Sequence, residues 1–143
     1  KTIRKASLGD LKQIYQIEKD VFIKDHWTFG MVERELENLS GQTTWIIEES
    51  SAILGYCMMR IFCNEANITN IAIKSSCQRQ GLGSFLLEHV LNQLPIKSSV
   101  FLEVKEGNLS AINLYQRLGF KVISLRKNYY KDGRTALIMH LEH

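Results

Sequence analysis

The sequence predicts a single mixed α/β domain, and three features of the 143-residue chain indicate this class. Runs that alternate in the manner of strands are interspersed with runs whose apolar residues recur at helical spacing. Between Asn70 and Leu94 a strand pattern passes into a helix pattern through a glycine-bearing loop. No internal repeat, low-complexity tract or linker divides the chain, so the predicted order βααβββαβαββ belongs to one domain.

The first half of the chain predicts a strand, two helices and a hairpin. Thr2 to Ala6 is the strand, and a capping box in Ser7–Asp10 opens the first helix. Thr28 caps a second helix that is expected to end near Ser40–Gly41, which leaves a helix-loop-helix elbow between the two helices. Two β-rich runs on either side of a polar turn form the hairpin, Thr43 to Glu49 and Ile53 to Phe62.

The second half predicts strands that alternate with two helices. The third helix follows the glycine-bearing loop and ends near Leu94–Pro95, because proline cannot continue a helix comfortably. The fourth helix, Asn108 to Leu118, has an apolar face and Gly119 as its C-terminal stop. The remaining segments are a turn at Asn64–Asn67, strands at Ile68–Lys74 and Ser99–Val104, and a final pair, Phe120–Leu125 and Thr135–Leu141, around an Asp132-Gly133 turn.

Composition excludes several classes of protein. With 45% hydrophobic and 23% charged residues, the chain has the composition of an ordinary globular protein. A net charge of +3 without any Lys/Arg run gives no indication of nucleic-acid binding, although it suits an anionic ligand. No apolar run approaches the roughly 20 residues that cross a bilayer, and no signal peptide precedes the first strand pattern. A soluble cytoplasmic protein without a membrane partner is therefore expected.

The cysteines and the C-terminus carry two further expectations. Cys57, Cys63 and Cys77 are odd in number and lack Cys-x-x-Cys spacing, which argues against a disulfide framework and against a zinc site. Buried thiols are expected instead. The final Leu141-Glu142-His143 is interpreted as the start of a cloned purification tag, so the functional domain is expected to span residues 1–140.

The loop between the fourth strand and the third helix has the chemistry of a phosphate site. Gly81 and Gly83 let the backbone approach a ligand without interference from Cβ, and the free N–H groups and dipole of the new helix favour an anion. A P-loop motif is absent, and Leu86 stands where the dinucleotide fingerprint needs a third glycine. A pyrophosphate is the expected ligand; the alternative is a structural Gly-x-Gly turn that binds nothing.

Two motifs at a suitable separation are more specific than either alone. The first is the loop sequence Gln78-x-x-Gly81-x-Gly83. The second is a block in and after the fourth helix, formed by Asn108, Ala111, Tyr115, Gly119 and Phe120. With both motifs the chain resembles the GCN5-related N-acetyltransferase (GNAT) superfamily over nearly its whole length. The resemblance implies a mostly antiparallel sheet of about seven strands flanked by about four helices, in which the fourth strand splays from the fifth.

Within the superfamily the chain is most similar to the RimI type, which acetylates the N-terminal alanine of a ribosomal protein, and to archaeal and eukaryotic protein N-terminal acetyltransferases. The residues that carry this similarity are Trp27, Thr69-x-Ile71-Ala-Ile73, Gln78–Gly83, Leu102–Val104 and Arg126–Gly133. Two departures concern the peptide side. Lys105-Glu-Gly107 stands in place of Arg-x-Ser, and Arg134-Thr-Ala136 lacks the acidic residue before its alanine.

The resemblance implies direct transfer of acetyl from acetyl-CoA to the N-terminal α-amine of a protein in a ternary complex, without a metal. The implied partner is a protein or peptide N-terminus, with a ribosomal protein as one candidate, and the implied state is a monomer or weak dimer. One alternative is a GNAT enzyme acting on a small-molecule amine or a lysine side chain. Another is a non-catalytic acyl-CoA-binding regulatory module, which is disfavoured because Glu103 and Tyr115 are both present.

Two side chains correspond to the catalytic groups of the RimI type. Glu103, at the end of the fifth strand, corresponds to the general base, acting through water; the alternatives are a solvated carboxylate at that position and Glu106 as the base. An α-amine with a pKa of about 8 leaves the base a modest task. Tyr115 corresponds to the general acid that protonates the CoA thiolate, and its alternative role is packing in the core.

The resemblance also implies two sets of binding residues. The acetyl-CoA set comprises Ile71, Ala72, Ile73, Gln78, Arg79, Gln80, Gly81, Leu82, Gly83, Ser84, Asn108 and Tyr115. Asn108 would bind the pantetheine arm, cap its helix, or do both. The amine set forms two walls of a peptide groove, from the elbow and the last hairpin loop: Phe22, His26, Trp27, Tyr129 and Tyr130. Hydrophobic packing under a loop is the alternative for these five residues.

Overall fold

Alternating strands and amphipathic helices build a seven-stranded sheet with helices on both faces, in a computed structural model that describes residues 1–39 and 41–143. The elements are β1 (Thr2–Lys5), α1 (Leu11–Val21), α2 (Phe29–Leu36), β2 (Gln42–Glu49), β3 (Ala52–Phe62), β4 (Glu65–Ile73), α3 (Leu82–Asn92), β5 (Ser99–Lys105), α4 (Leu109–Arg117), β6 (Lys121–Arg126) and β7 (Ala136–Glu142). The predicted fold class and element order are confirmed.

The strands lie in the order β1-β2-β3-β4-β5-β7-β6. Neighbouring strands are antiparallel except for β4 and β5, which are parallel and are connected through α3. A parallel pair cannot be joined by a tight turn, so the connection needs a helix-sized crossover. This crossover places the N-terminus of α3 at the C-terminal end of β4, where the candidate site lies.

Each face of the sheet buries its own apolar cluster. On the face covered by α1 and α2, called here the α1 face, Ile14 and Val32 pack with Tyr56 and Met58 of β3. On the opposite α3 face, the cluster joins α3 and α4 to β4, β5 and β7, and includes Ile68, Leu86, Leu87, Val90, Leu102, Val104, Tyr115 and Met139. The central strand β3 is thus buried on both sides, whereas β6 at the edge of the sheet is exposed.

Local hydrogen bonds explain where the helices begin. The Ser7 N–H donates to Asp10 Oδ2 at 2.8 Å, as in the predicted capping box, and a 3₁₀ turn over Leu8–Asp10 leads into α1. The Met31 N–H donates to Thr28 Oγ1 at 3.2 Å, which confirms the predicted cap of α2. Both starts were readable because a capping side chain acts within three residues of its partner.

Three expectations are corrected by the structure. Helix α2 ends at Leu36, because Asn38 takes a left-handed φ of 53° and Leu39 is 59% exposed; of the predicted end at Ser40–Gly41, Ser40 lies outside the described residues. Strand β4 starts at Glu65 rather than Ile68, since the turn closes at Cys63, with a φ of 56°, and Glu65 already pairs with Phe62. Cys63 is therefore exposed, whereas Cys57 is buried as predicted.

The last strand continues past residue 140. Leu141 pairs with Val100 and Glu142 with Ser99, and the Leu141 side chain packs against the cluster of the α3 face. Leu141 and Glu142 therefore belong to the folded sheet, and the domain extends beyond the predicted boundary at residue 140. The interpretation of these residues as a cloned tag remains a prediction.

Residues 1–39 and 41–143 contain neither a membrane-spanning helix nor a cluster of metal-binding side chains. None of the helices there is both long and apolar enough to cross a membrane. Within the same ranges, no group of three or more His, Cys, Asp or Glu side chains is placed to hold a metal ion.

We expect Leu141→Ala to lower the free energy of unfolding by about 1–2 kcal/mol, because it removes a partly buried side chain from the α3-face cluster. Thermal or urea unfolding measures the change. His143→Ala is the matched control, since the bonds of His143 to Ser98 and Lys97 are made by its backbone and survive the substitution. Equal stability of Leu141→Ala and the unsubstituted chain would contradict a structural role for Leu141.

Candidate active site

The site begins where β4 separates from β5. The two strands pair only from Glu65 with Ser99 to Ile68 with Leu102. The β3–β4 register shifts at the same point, because Met58 faces Asn70 and Met59 faces Ile68, which leaves Thr69 as a bulge. A bulge bends its strand and breaks the ladder on that side. Beyond Ile68, the backbone of β4 therefore keeps a free edge toward β5, and this opening is called here the gap.

The Thr69 bulge also decides on which face of the sheet each following side chain of β4 lies. Ile71 and Ile73 pack against the α3-face cluster, whereas Ala72 belongs to the α1-face cluster. Ile68 and Ile71 share the α3 face although they are three residues apart, which an unbroken strand would not allow. The free backbone edge of β4 can pair with an extended ligand, since exposed strand edges readily accept an added strand.

The loop after β4 is shaped for an anion. Gln78 Nε2 donates to the Ile73 carbonyl at 2.9 Å and folds the loop over the end of β4. Arg79 and Gly81 have φ angles of 64° and 76°, so the chain turns sharply before α3. Within the described part of the chain, the backbone N–H groups from Arg79 to Ser84 have no acceptor. Successive free N–H groups at a helix N-terminus form a binding site for phosphate groups.

Gly83 lies close to α4. A Cβ added at Gly83 would lie 3.1 Å from Leu114 Cδ2 and 3.8 Å from Ile73 Cγ1. The Leu114 side chain would therefore have to shift by a few tenths of an ångström to admit an alanine here. Gly81 has open space around its Cα, so its role is the left-handed φ rather than the lack of bulk.

Tyr115 reaches the gap from the α3 face. It is only 6% exposed, and its ring contacts Phe120 edge-on with centroids 5.9 Å apart. Burial raises the pKa of Tyr115, with smaller contributions from Cys57 and Tyr130, so the phenol keeps its proton at neutral pH. Its hydroxyl forms no hydrogen bond with the described residues, which leaves that proton available to a ligand.

Glu103 lies on the opposite side of the sheet from Tyr115. It alternates along β5 with Leu102 and Val104, which are buried on the α3 face, so the Glu103 side chain points to the α1 face. Its Oε1 lies 3.4 Å from Arg126 Nη1, and the carboxylate remains partly exposed. A cavity of about 440 Å³ opens beside it and is lined by Asn67, Thr69, Phe101, Glu103, Arg126 and Ile138, among others.

The two tyrosines of the loop between β6 and β7 gather at the same carboxylate. The interaction of its hydroxyl with Glu103 raises the pKa of Tyr129. Burial, followed by the charge of Glu103, raises the pKa of Tyr130 to about 12. The rings of Tyr129 and Tyr130 meet at right angles, with centroids 5.2 Å apart. The structure thus brings Glu103, Tyr129 and Tyr130 together, with Tyr130 also within electrostatic reach of Tyr115.

The elbow, residues 22–28, and the hairpin loop, residues 127–135, meet over the end of β5. Lys105 Nζ lies 2.6 Å from Asp132 Oδ2 and 3.5 Å from Asp25 Oδ2, and it also sits 5.2 Å from the ring centroid of Tyr130. The carboxylates, Asp132 first, raise the pKa of Lys105, and Lys105 in turn holds the pKa of Asp132 below its usual value. Lys105 therefore ties the two predicted walls together.

The three predicted elbow residues are partly buried. Phe22 and Trp27 pack against the α1-face cluster, and His26 Nδ1 bonds the Trp27 carbonyl at 2.8 Å. Their apolar contacts agree with the packing alternative, and a role in substrate binding remains a prediction. The Trp27 N–H donates to Glu18 Oε2 at 2.8 Å, which anchors the elbow to α1.

Two other predicted residues have structural partners. Glu106 Oε1 accepts from the Thr135 N–H at 3.1 Å, so its carboxylate fixes the start of β7 and is less available as a base than Glu103. Asn108 Oδ1 accepts from the Ala111 N–H at 3.3 Å and caps α4. Contact of Asn108 with pantetheine remains a prediction, as does every role assigned to a ligand-binding residue.

Sequence reasoning missed Glu18 and Asn70. Glu18 is 0% exposed and bonds Asn70, Tyr56 and Trp27 from three other parts of the chain. A signal was available in the sequence, because Glu18 falls four residues after Ile14, on the apolar stripe of the first helix. No pattern pointed to Asn70, since strand alternation without the bulge would assign it to the α3 face.

The arrangement suits transfer of a group between two ligands. A free strand edge with an anion site at its end fits an extended, phosphorylated molecule on the α3 face, beside Tyr115. A carboxylate among tyrosines fits an amine on the α1 face. The gap joins the two, so a reactive carbonyl bound along β4 would be open to attack from the side of Glu103.

Comparisons with known proteins agree with this geometry. The family model of the acetyltransferase (GNAT) family matches residues 11–120. The ribosomal protein bS18 alanine N-acetyltransferase of Escherichia coli (strain K12) is 33% identical over 147 residues, covering 98% of this chain and 96% of that protein. The N-alpha-acetyltransferase of Sulfolobus acidocaldarius is 30% identical over 152 residues, which cover 96% of this chain and 89% of that protein. The crystal structure of the ribosomal-protein-S18-alanine N-acetyltransferase from Escherichia coli superposes with a TM-score of 0.90 at 30% identity. The superposition covers 99% of this chain and 92% of that chain.

We expect Lys105→Met to loosen both walls, because it removes the ion pairs with Asp25 and Asp132. Amide hydrogen exchange in the elbow should rise by roughly two- to fivefold at pH 7. Since the pKa of Asp132 is lowered and that of Lys105 is raised, the Lys105–Asp132 pair is complete between about pH 5 and pH 9. It is lost only when the pH falls through the lowered pKa of Asp132 or rises through the raised pKa of Lys105. Lys131→Met, at an exposed position of the same loop, is the control and should leave exchange unchanged.

Proposed function

Because the chain belongs to the GNAT acetyltransferase family, we propose that it transfers acetyl from acetyl-CoA to the N-terminal α-amine of a protein, directly and in a ternary complex. Bacterial and archaeal relatives over nearly the full chain bear the names of protein N-terminal acetyltransferases, which favours this substrate class. A ribosomal protein is one candidate target, and action in the cytoplasm is part of the proposal. The observation that carries it is the gap, with Glu103 on one side and Tyr115 on the other.

The residues of the α3 face fit acetyl-CoA. The free N–H groups from Arg79 to Ser84 would hold its pyrophosphate, and the unpaired edge of β4 at Ile71–Ile73 would pair with the amides of the pantetheine arm. Acetyl-CoA supplies an activated thioester when bound. The backbone N–H near Ile73 would polarise its carbonyl by donating a hydrogen bond.

Glu103 would remove a proton from the ammonium form of the substrate, through water. Its Oε1 is paired with Arg126 and the side chain is partly exposed, so water can reach the carboxyl group. An α-amine with a pKa of about 8 is already a minority neutral species at pH 7, so this base has a modest task. Tyr129 and Tyr130 would hold the first residues of the peptide beside it.

Tyr115 would give its proton to the departing thiolate. Burial raises the pKa of this phenol and therefore makes it a weaker acid. The same apolar surroundings would also raise the pKa of a thiol bound next to it. The pKa values of the phenol and the thiol would therefore remain close enough for proton transfer when the two groups are in contact. The position of the hydroxyl thus matters more than its shift in pKa.

The proposed function is tested by incubating the protein with acetyl-CoA and a panel of amines. The panel contains peptides varied at their first two residues, the same peptides with blocked N-termini and a free lysine, spermidine and an aminoglycoside. We expect acetylation of free N-termini only, detected by mass spectrometry. Turnover of lysine or small amines without any turnover of free N-termini would instead favour the alternative GNAT activities. Binding of CoA without any turnover would favour the regulatory module.

We expect Glu103→Gln to lower kcat by roughly 100-fold, because the amide cannot accept the proton. Acetyl-CoA binding, measured by calorimetry, should be unchanged since Glu103 lies on the other side of the gap. Glu106→Gln tests the rival base and should have little effect on kcat, given that the Glu106 carboxylate is bonded to Thr135. A larger loss of kcat in Glu106→Gln than in Glu103→Gln would reverse the assignment.

We expect Tyr115→Phe to lower kcat by roughly 100-fold with the ring packing retained. The raised pKa of Tyr115 implies that the rate of the unsubstituted enzyme rises as the substrate amine loses its proton near pH 8 and does not fall from loss of the phenolic proton below about pH 10. A pH–rate profile measured from pH 6 to 10 checks this. A descending limb below pH 9 that disappears in Tyr115→Phe would contradict the predicted high pKa.

A further inference from the structure

We propose that Glu18 is a positioning residue that holds the elbow in place against β4, so that the amine and the acetyl donor meet in the gap. This inference rests on the proposed function. Glu18 is 0% exposed and cannot touch a substrate, so it acts through the residues that it binds. These residues lie in β4, which borders the gap, and in the elbow, which forms one wall of the proposed amine site.

The Glu18 carboxylate accepts hydrogen bonds from three separate elements. Oε2 accepts from the Trp27 N–H of the elbow at 2.8 Å. Oε1 accepts from Asn70 Nδ2 of β4 and from the Tyr56 hydroxyl of β3, each at 2.5 Å. Burial and the charge of Glu18 raise the pKa of Tyr56, which therefore remains a donor. No Lys or Arg side chain pairs with this carboxylate among residues 1–39 and 41–143.

A buried carboxylate without a cation is costly unless its oxygens are fully hydrogen-bonded. Three converging donors meet that requirement here, and they fix the carboxylate rigidly. Asn70 stands beside the Thr69 bulge, at the point where β4 leaves β5. One side chain therefore links the strand that borders the gap to a wall of the proposed amine site.

The elbow is the part of this network that can move. Strand β4 is held in register with β3 from Glu65 to Ile73, independently of Asn70's side chain. Elbow residues 23–27 belong to no helix or strand. Trp27 packs on the α1-face cluster, and the polar links of the elbow are the Trp27–Glu18 bond and the Asp25–Lys105 pair. Loss of the Glu18 bond should therefore displace the amine wall while leaving the edge of β4 in place.

The test is Glu18→Gln, which keeps the shape of the side chain but has one acceptor in place of two. The single oxygen of this new side chain cannot accept from the Trp27 N–H, the Asn70 amide and the Tyr56 hydroxyl together, so at least one of these three bonds is lost or reversed. We expect the KM for a peptide substrate with a free N-terminus to rise by roughly tenfold, while the KM for acetyl-CoA stays within about twofold. In a Trp45→Phe background, acrylamide quenching of the remaining Trp27 fluorescence should also increase.

Two further variants separate positioning from stability. Glu35→Gln is the burial-matched control, because Glu35 is 2% exposed on α2 and pairs with Arg60, away from the elbow. It should lower the melting temperature without changing the ratio of the two KM values. Combining Glu18→Gln with Asn70→Asp moves the carboxylate across the same contact, so that the glutamine NH₂ can donate to the carboxylate at position 70 while the glutamine oxygen accepts from the Trp27 N–H. In this exchange variant the KM for the peptide should return most of the way to the value of the unsubstituted protein. This comparison remains possible even where Glu18→Gln alone is too unstable to assay.

The proposal is overturned if Glu18→Gln lowers stability alone, or raises both KM values equally, or if the folded exchange variant keeps a peptide KM as high as that of Asn70→Asp. Failure of the proposed function is a different result. In that case the unsubstituted protein acetylates none of the peptides, whatever the behaviour of the Glu18 variants.

Discussion

The separation of β4 from β5 is the constraint on which the site depends. A parallel pair that continued to the ends of both strands would close the sheet and leave no backbone edge for a ligand. Here the pairing stops at Ile68 and Leu102, and the Thr69 bulge turns β4 away while β3 continues to hold it on the other side. On the other side of the gap, β5 remains paired with β7 as far as Lys105. The opening is thus rigid on both borders.

This opening gives the two proposed catalytic groups separate environments. Tyr115 approaches from the α3 face, where burial keeps its phenol protonated. Glu103 approaches from the α1 face, where it pairs with Arg126 and is partly exposed to solvent. The sheet separates the two groups, because the Glu103 side chain points to the α1 face of β5 whereas α4 carries Tyr115 on the α3 face.

The α1 face carries the less regular part of the site. The hairpin loop is closed by backbone bonds from Tyr129 and Tyr130 to the Arg134 carbonyl, whereas the elbow lies outside the strand ladders and is held by side chains. Lys105 ties the two at the surface, and Glu18 anchors the elbow from within the core. A surface ion pair contributes little by itself, whereas a buried carboxylate with three donors is rigid because each lost bond leaves a buried polar group unpaired. The walls of the proposed amine site are therefore held from two sides by interactions of different strength.

The sequence alone determined the element order, the caps at Ser7 and Thr28, the turn at Asp132–Gly133 and the glycine loop before α3, because each depends on residues close together in the chain. Its resemblance to the GNAT superfamily also pointed to Glu103 and Tyr115. Only the tertiary structure decided that Cys63 is exposed, that β4 begins at Glu65, that the last strand extends to Glu142 and that Glu18 joins Asn70 to the elbow. These features depend on strand register and on contacts between distant segments, and a one-residue bulge changes both without leaving a mark in the local pattern.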